Sequence, residues 1–563
     1  MLMQNRKPKS EQMFSMDYSS SIQNERLGVV VGGSLSKGLT VKIDAGISVE
    51  SLAVGRYVVV QGSGKRFFCM ITDIVLDNTN PDIQNNPPDM SDPFLSAVYI
   101  GTMAYGKVHV QPMLAIDQNE SGRLVPKPVK TVPGHFMTVT NATVEEVEAV
   151  FGKDDEHHFN VGAPLELEET QINLDLGRLV ERSIGVFGKS GTGKSFLTRL
   201  LLAGVIAKQK AVSLIFDMHN DYGWEVTSEN PHTPKVKGLR QIFGSEKVSI
   251  FTLDPESSRR RNAKTDHDVM ISYDDIEPED IEMLTETMGF TEAMLDAARL
   301  LRKKWGREWV AKLIDATADD FDEVEANSPV RAGTLAGLQR RIQRFERWSF
   351  LSRQSVGNSV DQIVSFLQSG KSVVLEFGRY GSSLEAYMLV ANFITRRIHE
   401  KYVEQVEKSL GDAADKPPQL LIVIEEAHKF LDPRIANQTI FGIIAREMRK
   451  FNVTLLIVDQ RPSGIDEEVM SQVGTRVTAL LDNERDVNAV LMGINGANSL
   501  REVLARLETK QQAIIMGHAV PMPVVVRTRS YDEQFYKEIE KEAVGGKLVG
   551  GRELLGSGSK RIR

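Results

Sequence analysis

The chain has 563 residues, 41% hydrophobic and 26% charged, with a formal net charge of −8. That length implies two or three domains with large cores, and the acidic balance argues against a chain that coats DNA by general basicity while leaving room for a local basic channel. No apolar stretch is long enough to span a bilayer, the opening MLMQNRKPKSEQ lacks the apolar core of a signal peptide, and the lone Cys69 excludes an internal disulfide and a cysteine-based metal cluster, so the expectation is a cytoplasmic protein with no membrane association.

Residues 1–25 read as a loose polar leader. Residues 26–165 then carry short β-type runs: LGVVVGG, LTVKI, YVVVQG, FFCMITDIVL, AVYIGTM, KVHVQPML and GHFMTVT. Gly, Asp, Asn and Pro clusters separate them, which predicts a small antiparallel barrel or sandwich. Within this span 78–93 reads as a long mobile loop and 143–151 as a short helix, while 161–175 reads as a connector.

From residue 183 the chain alternates strand and helix. Strands are predicted at 183–187, 211–217, 248–253, 372–377, 419–425, 454–459, 476–481 and 513–516. Their nearly continuous apolar character fits a central sheet covered on both faces, hence an α/β, doubly wound domain over 166–275 and 351–530. The charged, helix-periodic stretch 276–350 interrupts it as a helical insertion. Its Arg340, Arg341, Arg344 and Arg347 read first as solvated helix charge and second as a partner- or nucleic-acid-facing patch. Residues 531–563 read as a C-terminal helix and a flexible basic tail.

The chemistry begins at SIGVFGKSGTGKSFLTRL (183–200). An apolar strand, the turn Gly188-Lys189-Ser190-Gly191-Thr192-Gly193-Lys194-Ser195 and a helix starting near Lys194 give the context a phosphate-binding loop requires, with Phe196 closing the expected nucleotide-binding set. The glycines let successive N–H groups point at phosphate oxygens, and the helix adds its positive end. Lys194 is expected to reach the β- and γ-phosphates of ATP and Ser195 to hold Mg²⁺.

In LLIVIEEAH (420–428) an apolar strand delivers two acids to its C-terminal end, where ligands of α/β sheets bind. Glu425 takes the metal role with Ser195, and Glu426 polarises the attacking water. In LLIVDQRPS (455–463) Gln460 is placed to bond the γ-phosphate or that water. Asp217 and His219, after the second strand, are candidates to line the same pocket. Arg446, Arg449 and Lys450 share adjacent faces of a helix; from spacing alone they are either surface charge or arginines that stabilise a transferring phosphoryl group. Arg259, Arg260, Arg261 and Lys264 form a basic loop, read as solvated charge or as a contact to DNA phosphates.

Five ordered motifs, GKSGTGKS, DMHNDYGWE, LLIVIEEAHKFL, IAREMRKFNV and VDQRPS, together resemble the HerA family of hexameric DNA-translocating ATPases related to FtsK. The resemblance runs from about residue 27 to 529. It implies a RecA-like P-loop ATPase core, an N-terminal HAS-barrel-like domain and the helical insertion. It also implies a homohexamer with ATP between subunits, double-stranded DNA in the channel, and a partner nuclease (NurA-like) or a defence effector. By match, Arg446 or Arg449 is the arginine acting in trans. The family's second-strand motif is closer to DPHGEY, and Met218, Asn220 and Asp221 depart from it. The functional expectation is an ATP-driven duplex-DNA translocase; the alternative is an ATP-gated ring scaffold that activates an associated effector. A metabolic kinase is disfavoured, because an acidic pair plus Gln460 suits attack by water.

Overall fold

The structure, a computed structural model, describes residues 26–80, 82–87, 89, 91–99, 103–118, 124–165, 167–227, 235–354, 357–410, 416–436, 439–494 and 497–545. The leader and the basic tail expected from sequence lie outside these residues. The described residues fall into two compact units, one up to Gly152 with Pro164–Thr170, the other Lys153–Ala163 with the residues from Gln171 onward.

The first unit is built from β1 (Arg26–Ser34), β2 (Gly38–Ile43), β3 (Tyr57–Gln61), β4 (Arg66–Asn78), β5 (Ala104–Gln118), β6 (Leu124–Pro128) and β7 (Thr138–Asn141). Six of them close into a barrel in the order β2-β1-β7-β3-β4-β5, with β2 pairing β5, and β6 extends from β5. Closure leaves these six without a free edge. Alternate residues such as Leu39, Val41 and Ile43 point inward to a core with Val58, Val60, Cys69 and Val110. Register shifts at Phe68/Cys69 and Ile71/Asp73 bend the long β4.

The helix Val144–Phe151 starts at a reciprocal cap between Thr143 and Glu146. Its Phe151 packs on Tyr57 and Phe68, ring centroids 6.0 and 6.5 Å away. The span 78–93 is not all loop, and 97–99 is helical rather than extended: helices occupy Asp82–Asn85 and Pro93–Tyr99. The second helix wins because Pro93 sits at its first position, where no N–H is needed, and the Asp92 carboxylate accepts from Phe94 N at 2.8 Å.

The second unit is organised by a sheet of twelve strands. They are β8 (His158–Pro164), β9 (Ile172–Asp175), β10 (Ile184–Phe187), β11 (Val212–Asp217), β14 (Val248–Thr252), β15 (His267–Asp268), β18 (Ser372–Glu376), β19 (Leu420–Glu425), β20 (Val453–Asp459), β21 (Thr475–Thr478), β22 (Gln512–Gly517) and β23 (Val524–Thr528). Their order is β15-β14-β18-β11-β19-β20-β10-β21-β22-β23-β8-β9. The run from β15 to β21 is parallel, while β21–β22, β22–β23 and β8–β9 are antiparallel. Much of the stretch read as a connector is therefore the last hairpin of this sheet.

Two short ribbons complete the set: β12 (Val226–Thr227) with β13 (Lys235–Val236), and β16 (Ile271–Ser272) with β17 (Leu351–Ser352). The second ribbon pins together the two ends of the helical insertion, which explains how more than seventy residues leave the sheet and return to it. The insertion has its own core around the buried Trp309, whose indole N–H donates to Ile276 O at 2.8 Å. Two of the four arginines singled out there are structural. Arg341 donates to the carbonyls of Met288, Gly289 and Gly337, and Arg344 pairs with Glu385 at 3.1 Å.

Candidate functional site

The phosphate-loop turn follows β10 directly. Gly191 (φ 78°) and Gly193 (φ 88°) lie in the left-handed region, where a side chain costs about 1–2 kcal/mol. Gly193 caps the helix Lys194–Ala207, whose first-turn N–H groups have no partner within the helix. Thr192 Oγ1 donates to Lys189 O at 2.8 Å and staples the turn. The Lys194 ammonium donates to Gly188 O at 2.8 Å and Lys189 O at 3.1 Å. Burial lowers its pKa, opposed by the charges of Glu426, Asp459 and Glu425.

Four neighbouring strands end in buried acids at the same edge: Glu376 (β18), Asp217 (β11), Glu425 (β19) and Asp459 (β20). Neighbouring strands sit about 4.8 Å apart, so four charges here would repel strongly unless each were answered. Arg261 pairs with Glu376 at 2.6 Å. Asp217 accepts from the N–H groups of Asp221, Tyr222 and Gly223 at 2.7, 2.9 and 3.4 Å. Asp459 accepts from His428 Nδ1 at 2.9 Å and from Arg461 N at 2.7 Å. Glu425 Oε1 accepts from the Tyr222 hydroxyl at 2.9 Å, but its Oε2 is buried with no hydrogen-bond partner among the described residues. Burial first, then the neighbouring charge of Asp217, pushes Glu425 up to about 8. Burial and Glu376 push Asp217 up to about 7.

Glu426 adopts φ 49°, ψ 44°, a left-handed conformation unusual outside glycine. Its carboxylate lies 3.4 Å from Gln460 Nε2. The two residues sit at the ends of adjacent strands, which is why the 34-residue separation between them closes.

A cavity of about 630 Å³ gathers Ser190 to Phe196, His219, Asp221, Glu425, Glu426 and Gln460 along its lining. Gly188 and Lys189 do not line it; Lys189 Nζ is drawn instead to Asp482 at 3.0 Å. Arg446 does not line it either. Its guanidinium donates to Ala436 O at 3.1 Å and to Glu468 at 3.4 Å. The side chain of Arg449 lies outside the described residues. Ser195 and Glu425 both line this space, and Glu425 Oε2 has no hydrogen-bond partner among the described residues; a hydroxyl and a carboxylate are a donor set that fits Mg²⁺ with its waters. Among the described residues no group of three or more His, Cys, Asp or Glu side chains is placed to hold a metal ion.

Sequence reasoning missed three parts of this site. Arg199, 2% exposed, reaches the carbonyl of Asp221 and lines the cavity. Tyr222 holds Glu425 across 203 residues. Residues 510–512 and 528–532 also line the cavity, and of the two strands beside them only 513–516 was predicted. None has a local signature, although Arg199 sits inside the quoted 183–200 stretch and Tyr222 inside DMHNDYGWE.

Fold and site together define a P-loop ATPase with a barrel domain attached. Two family models match the chain: "HAS barrel domain" over residues 27–96 and "Helicase HerA, central domain" over residues 159–398. A protein of Pyrococcus furiosus named DNA double-strand break repair helicase HerA is 26% identical over 440 residues, 74% of this chain and 76% of that protein. The protein of the same name from Sulfurisphaera tokodaii is 24% identical over 518 residues, 90% and 93% of the two chains. Among solved structures, VirB4 of Thermoanaerobacter pseudethanolicus is similar at 12% identity, covering 67% of this chain and 98% of its own, with a TM-score of 0.42. The chain is similar to the HerA family over its barrel and over the central part of its ATPase unit.

Proposed function

We propose that this protein hydrolyses ATP to move double-stranded DNA, as a homohexameric ring that works with a partner nuclease or effector. The observation that carries the reading is that one cavity collects a phosphate loop, an acidic pair and a glutamine from three adjacent strands of the sheet. In this reading the N–H groups of residues 190–196 and Lys194 hold the triphosphate, the oxygens of Ser195 and Glu425 hold Mg²⁺, and Glu426 and Gln460 orient and polarise the attacking water. Bound Mg²⁺ supplies charge neutralisation at the β- and γ-phosphates. Lys194 rests on two loop carbonyls until a phosphate draws it away. Arg446 or Arg449 serves the site of a neighbouring subunit, in keeping with the place of Arg446 outside its own cavity.

The test is steady-state ATPase activity with and without duplex DNA at two salt concentrations. Wild-type protein is expected to be stimulated by DNA, less so at high salt because phosphate contacts weaken as counterions compete. Lys194→Ala is expected to lose roughly 10²–10³-fold in rate, the scale for removing one transition-state donor. A rate indifferent to DNA but altered by a co-purifying protein supports the scaffold reading instead, and wild-type-like hydrolysis by Lys194→Ala refutes the site.

A further inference from the structure

The recorded ladder between β11 and β19 ends at Ile215↔Val423, two residues before Glu425. Beyond it, one side chain takes over. The Tyr387 hydroxyl accepts from Glu425 N at 3.1 Å and donates to Glu425 O at 3.2 Å. One phenol thus satisfies both main-chain groups of the last strand residue, immediately before the backbone turns into the left-handed conformation of Glu426. We propose that Tyr387 is a positioning residue for ATP hydrolysis: it terminates β19 at Glu425 and holds the turn that aims Glu425 and Glu426 into the cavity.

Three further observations support this. The Tyr387 ring packs edge-on against Phe430 with centroids 5.2 Å apart, so the same side chain grips both ends of the turn 425–430. Phe377, after β18, packs on its other side at 5.1 Å. The helix that carries it, Leu384–Ser409, is anchored at several points: Ser383 caps it, Arg344 of the insertion pairs with Glu385, and the buried Asp280 of the insertion pairs with Arg396 and Arg397. A left-handed non-glycine residue persists only where its surroundings over-determine it. Among the described contacts, those of Tyr387 flank that residue on both sides.

The inference rests on the ATPase reading above. The test compares wild type, Tyr387→Phe and Tyr402→Phe in the full chain. Tyr402 is a control on the same helix: it is fully buried, and its hydroxyl has no hydrogen-bond partner among the described residues. For Tyr387→Phe, kcat is expected to fall roughly tenfold to hundredfold, the scale of a small misplacement of reacting groups. KM for ATP and affinity for a fluorescent non-hydrolysable ATP analogue are expected to change far less than kcat, since the loop 190–196 and Lys194 that hold the triphosphate are untouched. Tyr402→Phe is expected to match wild type in all three. A kcat for Tyr387→Phe within about twofold of wild type, or an equal loss in Tyr402→Phe, overturns the proposal. If wild type binds the analogue but hydrolyses no ATP with or without DNA, the ATPase reading itself falls, and this inference with it.

Discussion

The barrel and the ATPase sheet treat buried polar groups in opposite ways. The barrel interior is almost wholly apolar; even its thiol, Cys69, is buried and pushed far above the usual range. Among its described residues the buried charges are Arg56, which donates to Ser51 O at 2.9 Å, and Glu146, which is answered by Arg66 at 2.8 Å and by the cap at Thr143. The carboxyl edge of the ATPase sheet instead buries four acids side by side and leaves an oxygen of Glu425 unanswered. An apolar interior of this kind maximises stability. An under-compensated acidic edge costs stability and holds groups ready for a cation and a phosphate. The difference teaches where mutations act: in the barrel on folding, at the edge on chemistry.

The sharpest way to break that contrast is Phe68→Ala in the barrel. Phe68 is fully buried between Tyr57 and Phe151, and truncation is expected to cost about 3–5 kcal/mol. Urea unfolding followed by a barrel-specific probe measures it, and a cost under about 1 kcal/mol would erase the contrast.

A smaller effect is expected at the edge, with a defined sign. The carboxyls of Asp217 and Glu425 titrate near 7 and 8 in the folded chain, raised from ordinary values of 3.8 and 4.5. Groups with raised folded values stabilise fully below their unfolded values, and that stability is lost as pH climbs through the folded ones. Without nucleotide or Mg²⁺, stability from these two groups therefore declines from about pH 4 to about pH 8. Glu425→Gln removes one share, so urea midpoints plotted against pH are expected to fall less steeply than in wild type. An unchanged slope would show that Glu425 is not held protonated.

How much of this was legible in the sequence depends on how local the signal is. The phosphate loop was readable because Gly191, Gly193 and Lys194 carry their geometry within eight residues. The acidic pair was readable because five apolar residues, Leu420 to Ile424, place Glu425 at a strand end. The parallel sheet followed from the same periodicities, which left the N-terminal strands open between a barrel and a sandwich. The hairpin of β8 and β9 was not legible, because polar residues such as Asn160 and Asn173 interrupt it and its sheet neighbour β23 begins at Val524, more than 350 residues on. Tyr387 was invisible for a related reason: a tyrosine on a long helix looks like core packing until the fold brings its hydroxyl to Glu425. Arg261 was read as loop charge, and the fold makes it the counter-ion of Glu376.

The central claim is that Glu426, held in a strained turn at the cavity, polarises the water that attacks ATP. Its most direct test is the turnover of Glu426→Gln alongside its affinity for ATP. The account predicts retained binding with kcat lower by roughly 10²–10⁴-fold, the usual contribution of a positioned general base. A Glu426→Gln enzyme that binds ATP and hydrolyses it at the wild-type rate would contradict it.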